Sequence, residues 1–205
     1  MKERIEQIAE PYREKLVQYR RHLHAHPELS FHETETSAWI KDRLSAAGID
    51  ILPGITGNSV VGVIDSGIPG PCIAFRADFD ALPIQEEVDV PYKSQVPNVM
   101  HACGHDAHTA ILLCLAEAFA ANRDLIQHGS VRFLFQQAEE VMPGGASYLV
   151  KDGIMKDVDR IFGLHISNMY ETGTLACTAG PTLAAVSNFE IVIKGQTGHA
   201  AFPHK

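Results

Sequence analysis

The sequence predicts an α/β protein, a β-sheet with helices on its faces, and three observations carry that expectation. Apolar runs of strand length alternate with longer segments of helical period. Proline or glycine stands at the boundaries of several of the helical segments. Chemically loaded residues gather just after the apolar runs, where open α/β sheets bind their ligands.

Taken in chain order, Ile5, Ile8, Tyr12, Leu16, Tyr19 and Leu23 recur every three or four positions, a helical period, and Pro11 is placed to open a second helical piece. A helix is expected from Thr34 to Ala47, stopped by Gly48. Strands are expected at Val60–Ile64 and Cys72–Phe75. Asp106–Ala121 reads as a long helix that buries Leu112, Leu113, Leu115, Ala116 and Phe119. A strand at Val131–Phe135 precedes a short helix, Ala146–Lys151, opened by Gly144 and Gly145. Further strands are expected at Ile161–Leu164, at Thr174–Cys177 and at Asn188–Lys194, where Phe189, Ile191 and Ile193 alternate with Glu190, Val192 and Lys194.

Composition narrows the functional classes. With 45% hydrophobic and 20% charged residues in 205, the chain has globular composition and is no coiled coil, collagen or disordered tail. Asp and Glu (25) outnumber Lys and Arg (17), a net charge of -8 that repels phosphate backbones, so nucleic acid is not an expected partner. The apolar stretch Ile111–Phe119 is interrupted by Glu117 and is far too short to span a membrane. Met1–Glu10 is charged and has no apolar run, unlike a secretory signal. Cys72, Cys103, Cys114 and Cys177 form no CxxC pair and are read as reduced thiols, which makes a cytoplasmic location the expectation. The eleven histidines are unevenly spread: four fall within His22–His32 and three within His101–His108.

The second cluster carries the chemistry. His101, Cys103, His105, Asp106 and His108 stand together just ahead of a helix, with Gly104 allowing the turn that lets Cys103 and His105 converge. Thiolate and imidazole are the usual ligands of zinc-like ions. Asp106 stands where it can cap the helix and His108 where it can pack at its start; the alternatives are a polar capping loop or a thiol nucleophile at Cys103. Glu139 and Glu140 follow an apolar strand. Either both diverge into solvent, or one ligates a divalent cation while the other holds a proton. Asp78 and Asp80 alternate, so both can face one side of an extended backbone and one can orient a ligand; the alternative is a turn before Leu82-Pro83. His22, His24, His26 and His32 read as helix termination and packing, because Pro27 disfavours helix at His26. His199, isolated after a strand-like run, reads on its own as structural.

Arg20–Glu33 (RRHLHAHPELSFHE), FRADFDALPIQE, MHACGHDAHTAILL, FLFQQAEE, FGLHIS and GHAAFPH, in that order, closely resemble the aminoacylase/carboxypeptidase family of dinuclear metallohydrolases. The nearest branch is the N-acyl-amino-acid amidohydrolases, which include hippurate hydrolase, N-acetyl-amino-acid deacetylases and auxin-conjugate hydrolases. The resemblance spans essentially the whole chain. It implies a mixed sheet flanked by helices, a zinc-peptidase-like catalytic domain over residues 1–184, and the start of an α+β lid and dimerisation domain over 185–205.

By the same resemblance Cys103, His105, Glu140 and His165 match metal ligands. Glu139 matches the general base acting on a metal-bound water, and Asp80 the acid that supports the metal cluster. Asp78 lies where other branches carry a ligand histidine. His199 matches the histidine that reaches a partner subunit's site and assists at the substrate carbonyl. The implied cofactors are two divalent ions, zinc or manganese, with cobalt or nickel as further options. The implied substrate is an N-acyl amino acid or short peptide, hydrolysed at its amide bond by a homodimer. Relatives continue past GHAAFPH and return to supply one more ligand histidine, so the chain is read as an N-terminal portion, the alternative being a remnant that binds metal or a partner without turnover.

Overall fold

The computed structural model describes residues 2–181, 187, 189–202 and 204. Its chain divides into two compact units, Met1–Ser167 and Asn168–Lys205.

The first unit begins with α1 (Lys2–Ala9), a 3-10 turn over Glu10–Tyr12, and α2 (Arg13–Ala25). Pro11 sits at the start of that turn, where its missing N–H costs no helical hydrogen bond. Helix α3 (Thr34–Ala46) ends as expected: Gly48 takes φ +71°, and its N–H and that of Ile49 return to the carbonyls of Ser45 and Leu44. The remaining elements are β1 (Asp50–Ile51), β2 (Val60–Asp65), β3 (Cys72–Asp78), α4 (His105–Ala121), a 3-10 turn over Arg123–Leu125, β4 (Ser130–Gln136), α5 (Gly145–Lys151) and β5 (Arg160–Gly163).

The strands form one mixed sheet in the order β1-β2-β4-β3-β5. The β1–β2 and β2–β4 pairs are antiparallel, whereas β3 runs parallel to β4 and to β5. Alternation along the strands divides the core. Val131, Phe133 and Phe135 of β4 join Val60, Ile64, Ile40, Leu44, Leu112, Leu113 and Ala116 beneath α3 and α4. Leu134, Val61 and Ala74 face the other way, against Leu149 of α5 and Ile154. Helix α4 is the crossover element between parallel β3 and β4, and eleven of its seventeen residues are buried. No helix of the described residues is long and apolar enough to cross a membrane, and all four cysteines are free thiols.

Three sequence expectations need correction. Strand β3 runs three residues past Phe75, because Arg76, Ala77 and Asp78 continue the ladder against Leu134, Phe135 and Gln136. The two-residue β1 was not anticipated; Asp50 and Ile51 owe their strand geometry to pairing with Val63 and Gly62. Thr174–Cys177 and residues 189–194 of the second unit form no strand, and Asn188 lies outside the described residues. Phe189, Ile191 and Ile193 are 85%, 73% and 89% exposed. Alternation supplies one face of a strand but not the partner ladder, and none is present among the described residues of that unit.

Candidate metal centre

The parallel arrangement of β3, β4 and β5 points their carboxyl ends to one edge of the sheet, the edge at which open α/β sheets bind ligands. Asp78 and Asp80 leave β3, Glu139 and Glu140 leave β4, and His165 leaves β5. Gly104 delivers the remaining groups at the start of α4. It adopts φ +91°, a left-handed conformation that favours glycine between Cys103 and His105, and a Cβ there would also force the Ile166 side chain to move.

The donor atoms converge. Those of Cys103, His105 and His165 lie within 4.8 Å of one another, as do those of His105, Glu139 and Glu140, and those of Asp78, His105 and His108. His105 belongs to all three groups. Its Nδ1–H donates to Asp80, at 2.9 Å to the carbonyl and 3.0 Å to Oδ1, which turns Nε2 into the cluster. That nitrogen is buried without a hydrogen-bond partner, 3.6 Å from Asp78 Oδ2 and 3.7 Å from Glu140 Oε1. A bare imidazole nitrogen ringed by thiol, imidazole and carboxylates is a donor set that suits a divalent cation, since an unsatisfied buried nitrogen otherwise costs free energy. His165 is oriented likewise: its Nδ1–H donates to the Ile166 carbonyl at 2.6 Å, and Nε2 lies 3.4 Å from Cys103 Sγ.

The acids of β3 serve as braces. Asp80 Oδ2 accepts the Glu140 N–H at 3.0 Å and the Ser30 hydroxyl at 2.7 Å, so one carboxylate fixes both the His105 ring and the Glu139-Glu140 turn. Asp78 accepts His108 Nδ1–H at 2.7 Å and the Arg76 guanidinium at 2.8 Å. Burial opposes ionisation of Asp78 and Asp80, but these donors outweigh it and hold both carboxyls below the usual carboxylate range. Glu139 moves the opposite way: burial, then the charges of Glu140 and Asp78, push its carboxyl up. The Cys103 thiol is pushed up to about 12 by burial and by Glu140, which argues against a free thiolate nucleophile here.

Sequence reasoning missed the part played by His108. Its Nε2 accepts the Ile166 N–H at 3.0 Å, and its ring meets that of His165 edge-on, with centroids 4.5 Å apart. Asp78, His108 and Ile166 therefore form a chain that fixes the backbone beside His165. The available signal was the i, i+3 spacing of His105 and His108, which puts both on one helix face. Asp106 departs only in part from expectation. Gly104 occupies the N-cap position, and Asp106 divides its oxygens: Oδ1 accepts the Ala107 N–H of the first turn at 2.9 Å, while Oδ2 takes His24 Nδ1–H at 2.7 Å and Arg20 Nε–H at 2.9 Å, tying the helix start to α2. His199 lies in the second unit, where its Nδ1 accepts the Ala201 N–H at 3.2 Å.

The fold and this donor set define a class, metal-binding hydrolases built on an α/β sheet. The model of peptidase family M20/M25/M40 matches residues 74–203, and the chain belongs to that family. It is 45% identical to an N-acyl-L-amino acid amidohydrolase of Geobacillus stearothermophilus, over 100% of this chain and 55% of that protein. It is likewise 45% identical to the N-acetyl-L-cysteine deacetylase of Bacillus subtilis, over 92% of this chain and 45% of the relative. Among solved structures, the Bacillus subtilis YxeP protein, described as a dinuclear metal binding peptidase from the M20 family, superposes with a TM-score of 0.72 at 42% identity, covering 77% of this chain and 44% of that one. The chain thus spans about half the length of the curated relatives it matches.

Proposed function

We propose that the whole protein is a metal-dependent amidohydrolase that splits the amide bond of N-acyl amino acids or short peptides. The observation that carries this reading is the bare, buried Nε2 of His105, set among Cys103, His165 and Glu140 with a second carboxylate, Glu139, alongside. Cys103, His105, Glu140 and His165 are the residues that would hold the ions: zinc, which suits thiolate, or manganese, with cobalt or nickel as further options. Two divalent ions at such a centre would polarise the scissile carbonyl and make water more acidic. Glu139 is the carboxylate left for proton transfer: it takes the proton of the attacking water and passes it to the departing amine. Asp80 keeps His105 and Glu140 in register throughout.

The relatives' printed activities, amidohydrolase and deacetylase, support the substrate class. His199, assigned by its motif, acts at the substrate carbonyl from residues 185–205, the start of a lid and dimerisation domain after a catalytic domain of residues 1–184; the working form is a cytoplasmic homodimer. The test is metal analysis of the full-length protein together with hydrolysis of a panel of N-acyl amino acids before and after chelation. Two ions per subunit and activity lost to chelator and restored by metal are expected. Chelator-resistant, alkylation-sensitive hydrolysis would replace this reading with a thiol enzyme, and binding without turnover would replace it with a non-catalytic metal-binding protein.

A further inference from the structure

The turn that carries Glu139 and Glu140 is held in an unusual conformation. Ala138 has φ +46°, in the left-handed region that a residue with a Cβ rarely enters. Its carbonyl accepts the Gly145 N–H at 2.9 Å. Its N–H donates at 2.7 Å to Glu33 Oε1, a carboxylate 105 residues earlier in the chain. Glu33 is 0% exposed, and its other oxygen accepts Asn58 Nδ2 at 3.2 Å. The Asn58 N–H donates in turn to Gln137 Oε1 at 2.5 Å, and the Gln137 N–H donates to Ser59 Oγ at 3.2 Å. A closed ring of hydrogen bonds therefore surrounds residues 137 and 138, with Glu33 as its buried acceptor.

Glu33 does not earn its place as a helix cap. It stands at the N-cap position of α3, yet its side chain makes no capping hydrogen bond. Its side-chain partners are neutral donors, and burying a carboxyl among neutral groups is costly. Burial pushes its pKa up despite those donors. An apolar residue would fill the same space at lower cost but would leave the Ala138 N–H buried and unpaired.

We propose that Glu33 is a positioning residue for the candidate centre: its carboxylate fixes the backbone of Ala138 and so sets the directions in which Glu139 and Glu140 leave β4. The turn is then suspended between two buried acids, Glu33 at Ala138 and Asp80 at Glu140. This inference rests on the reading of Glu139 as base and Glu140 as ligand.

The test is a series at position 33 in the full-length, metal-loaded protein, assayed well below its thermal midpoint. Glu33→Gln keeps an oxygen at the right reach for the Ala138 N–H. Glu33→Asp keeps the charge but is one methylene short, and Glu33→Ala removes the acceptor. A small displacement of reacting groups is enough to lower kcat by about 100-fold, and that loss is expected for Asp and Ala with KM within about threefold, while Gln stays within about tenfold of wild type. Metal affinity, read by competition with a chromophoric chelator, should weaken about tenfold in the same two variants. Glu117→Gln is the control, because it removes a buried carboxylate held by Lys15 and Tyr19 away from the turn; it should shift Tm and leave kcat and metal affinity unchanged. If Glu33→Ala does not fold, the order of Gln above Asp decides. The proposal is overturned if Asp keeps wild-type kcat and metal affinity, or loses no more than Gln. Loss of the underlying reading is a separate result, seen as a fully active Glu139→Gln.

Discussion

Two pairs of acids leave neighbouring parallel strands and meet at one centre, yet the protein treats them in opposite ways. Asp78 and Asp80, at the end of β3, are each 1% exposed, and their oxygens are occupied by Arg76, His105, His108, Ser30 and the Glu140 N–H. Glu139 and Glu140, after β4, are exposed, and the Glu139 carboxyl is pushed up where the two aspartates are held down. The difference follows from backbone position. Asp78 is still within the ladder, and Asp80 lies two residues beyond it, against the first turn of α4; both can reach rigid donors. The glutamates sit past a left-handed residue, on a turn beyond the ladder, with donor atoms within 4.8 Å of His105. Acids whose oxygens are held by rigid donors orient other groups, whereas the glutamates face the cluster itself, with Glu140 beside Cys103 and His105, and are available to ligand and proton.

The largest effects are expected within the glutamate pair. Glu139→Gln in the full-length enzyme should lower kcat by about 10²- to 10⁴-fold, the usual worth of a general base, with metal content intact. Glu140→Gln should lose activity and metal together. Measuring bound metal beside turnover separates the two roles, and equal metal loss in both variants would erase the distinction.

The braces should cost less. Asp80→Ala frees the His105 ring and the Glu140 N–H at once, so metal affinity should fall by about 10- to 100-fold, the range for groups that orient ligands. His108→Ala should sit at the lower end, about tenfold, because it acts on His165 through the Ile166 N–H and an edge-on ring contact rather than by a hydrogen bond to the ligand ring. Chelator competition on both variants checks the order, and a His108 variant worse than the Asp80 variant would make His108 the stronger brace.

How much of this was legible in the sequence depends on the range of the interactions. The places of the central strands and the Cys103–His105 turn could be read because period, glycine and ligand types are all local signals, although β3 runs on to Asp78 through its pairing with β4. The motif resemblance added His165 and the proposed division of labour between Glu139 and Glu140. The braces were harder. Glu33 and Ala138 are 105 residues apart, His108 and Ile166 are 58 apart, and no local pattern announces either pair. Asp106 shows a local signal that was half the story: it does accept a first-turn N–H, from Ala107, but Gly104 holds the N-cap position and the pairing with Arg20 and His24 is long-range. Residues 189–194 show the limit of alternation, which describes a face and not its partner.

The smallest effect on turnover, and the clearest on stability, is expected at His24. Both its ring nitrogens face carboxylates, Nδ1 at 2.7 Å from Asp106 and Nε2 at 3.0 Å from Glu86, an arrangement in which only the imidazolium can donate twice. Glu86 also accepts the Ser94 N–H at 2.7 Å, so this cation ties the loop between β3 and α4 to the first turn of α4. The hydrogen bond with Asp106, followed by that with Glu86, raises the His24 pKa from its ordinary value near 6.5, with burial opposing. The folded state therefore holds the proton more tightly than the unfolded state does. Its stabilisation is fully present below about pH 6.5 and is lost as pH climbs through the raised value, with a slope of at most about 1.4 kcal/mol per pH unit. Urea unfolding across that window should show the decline in the wild type and a flatter profile in His24→Ala, with kcat at low denaturant changing least of the variants considered. A wild-type stability that rises with pH there, or an unchanged slope in the variant, would mean that His24 is neutral in the fold and that the loop is held by hydrogen bonds alone.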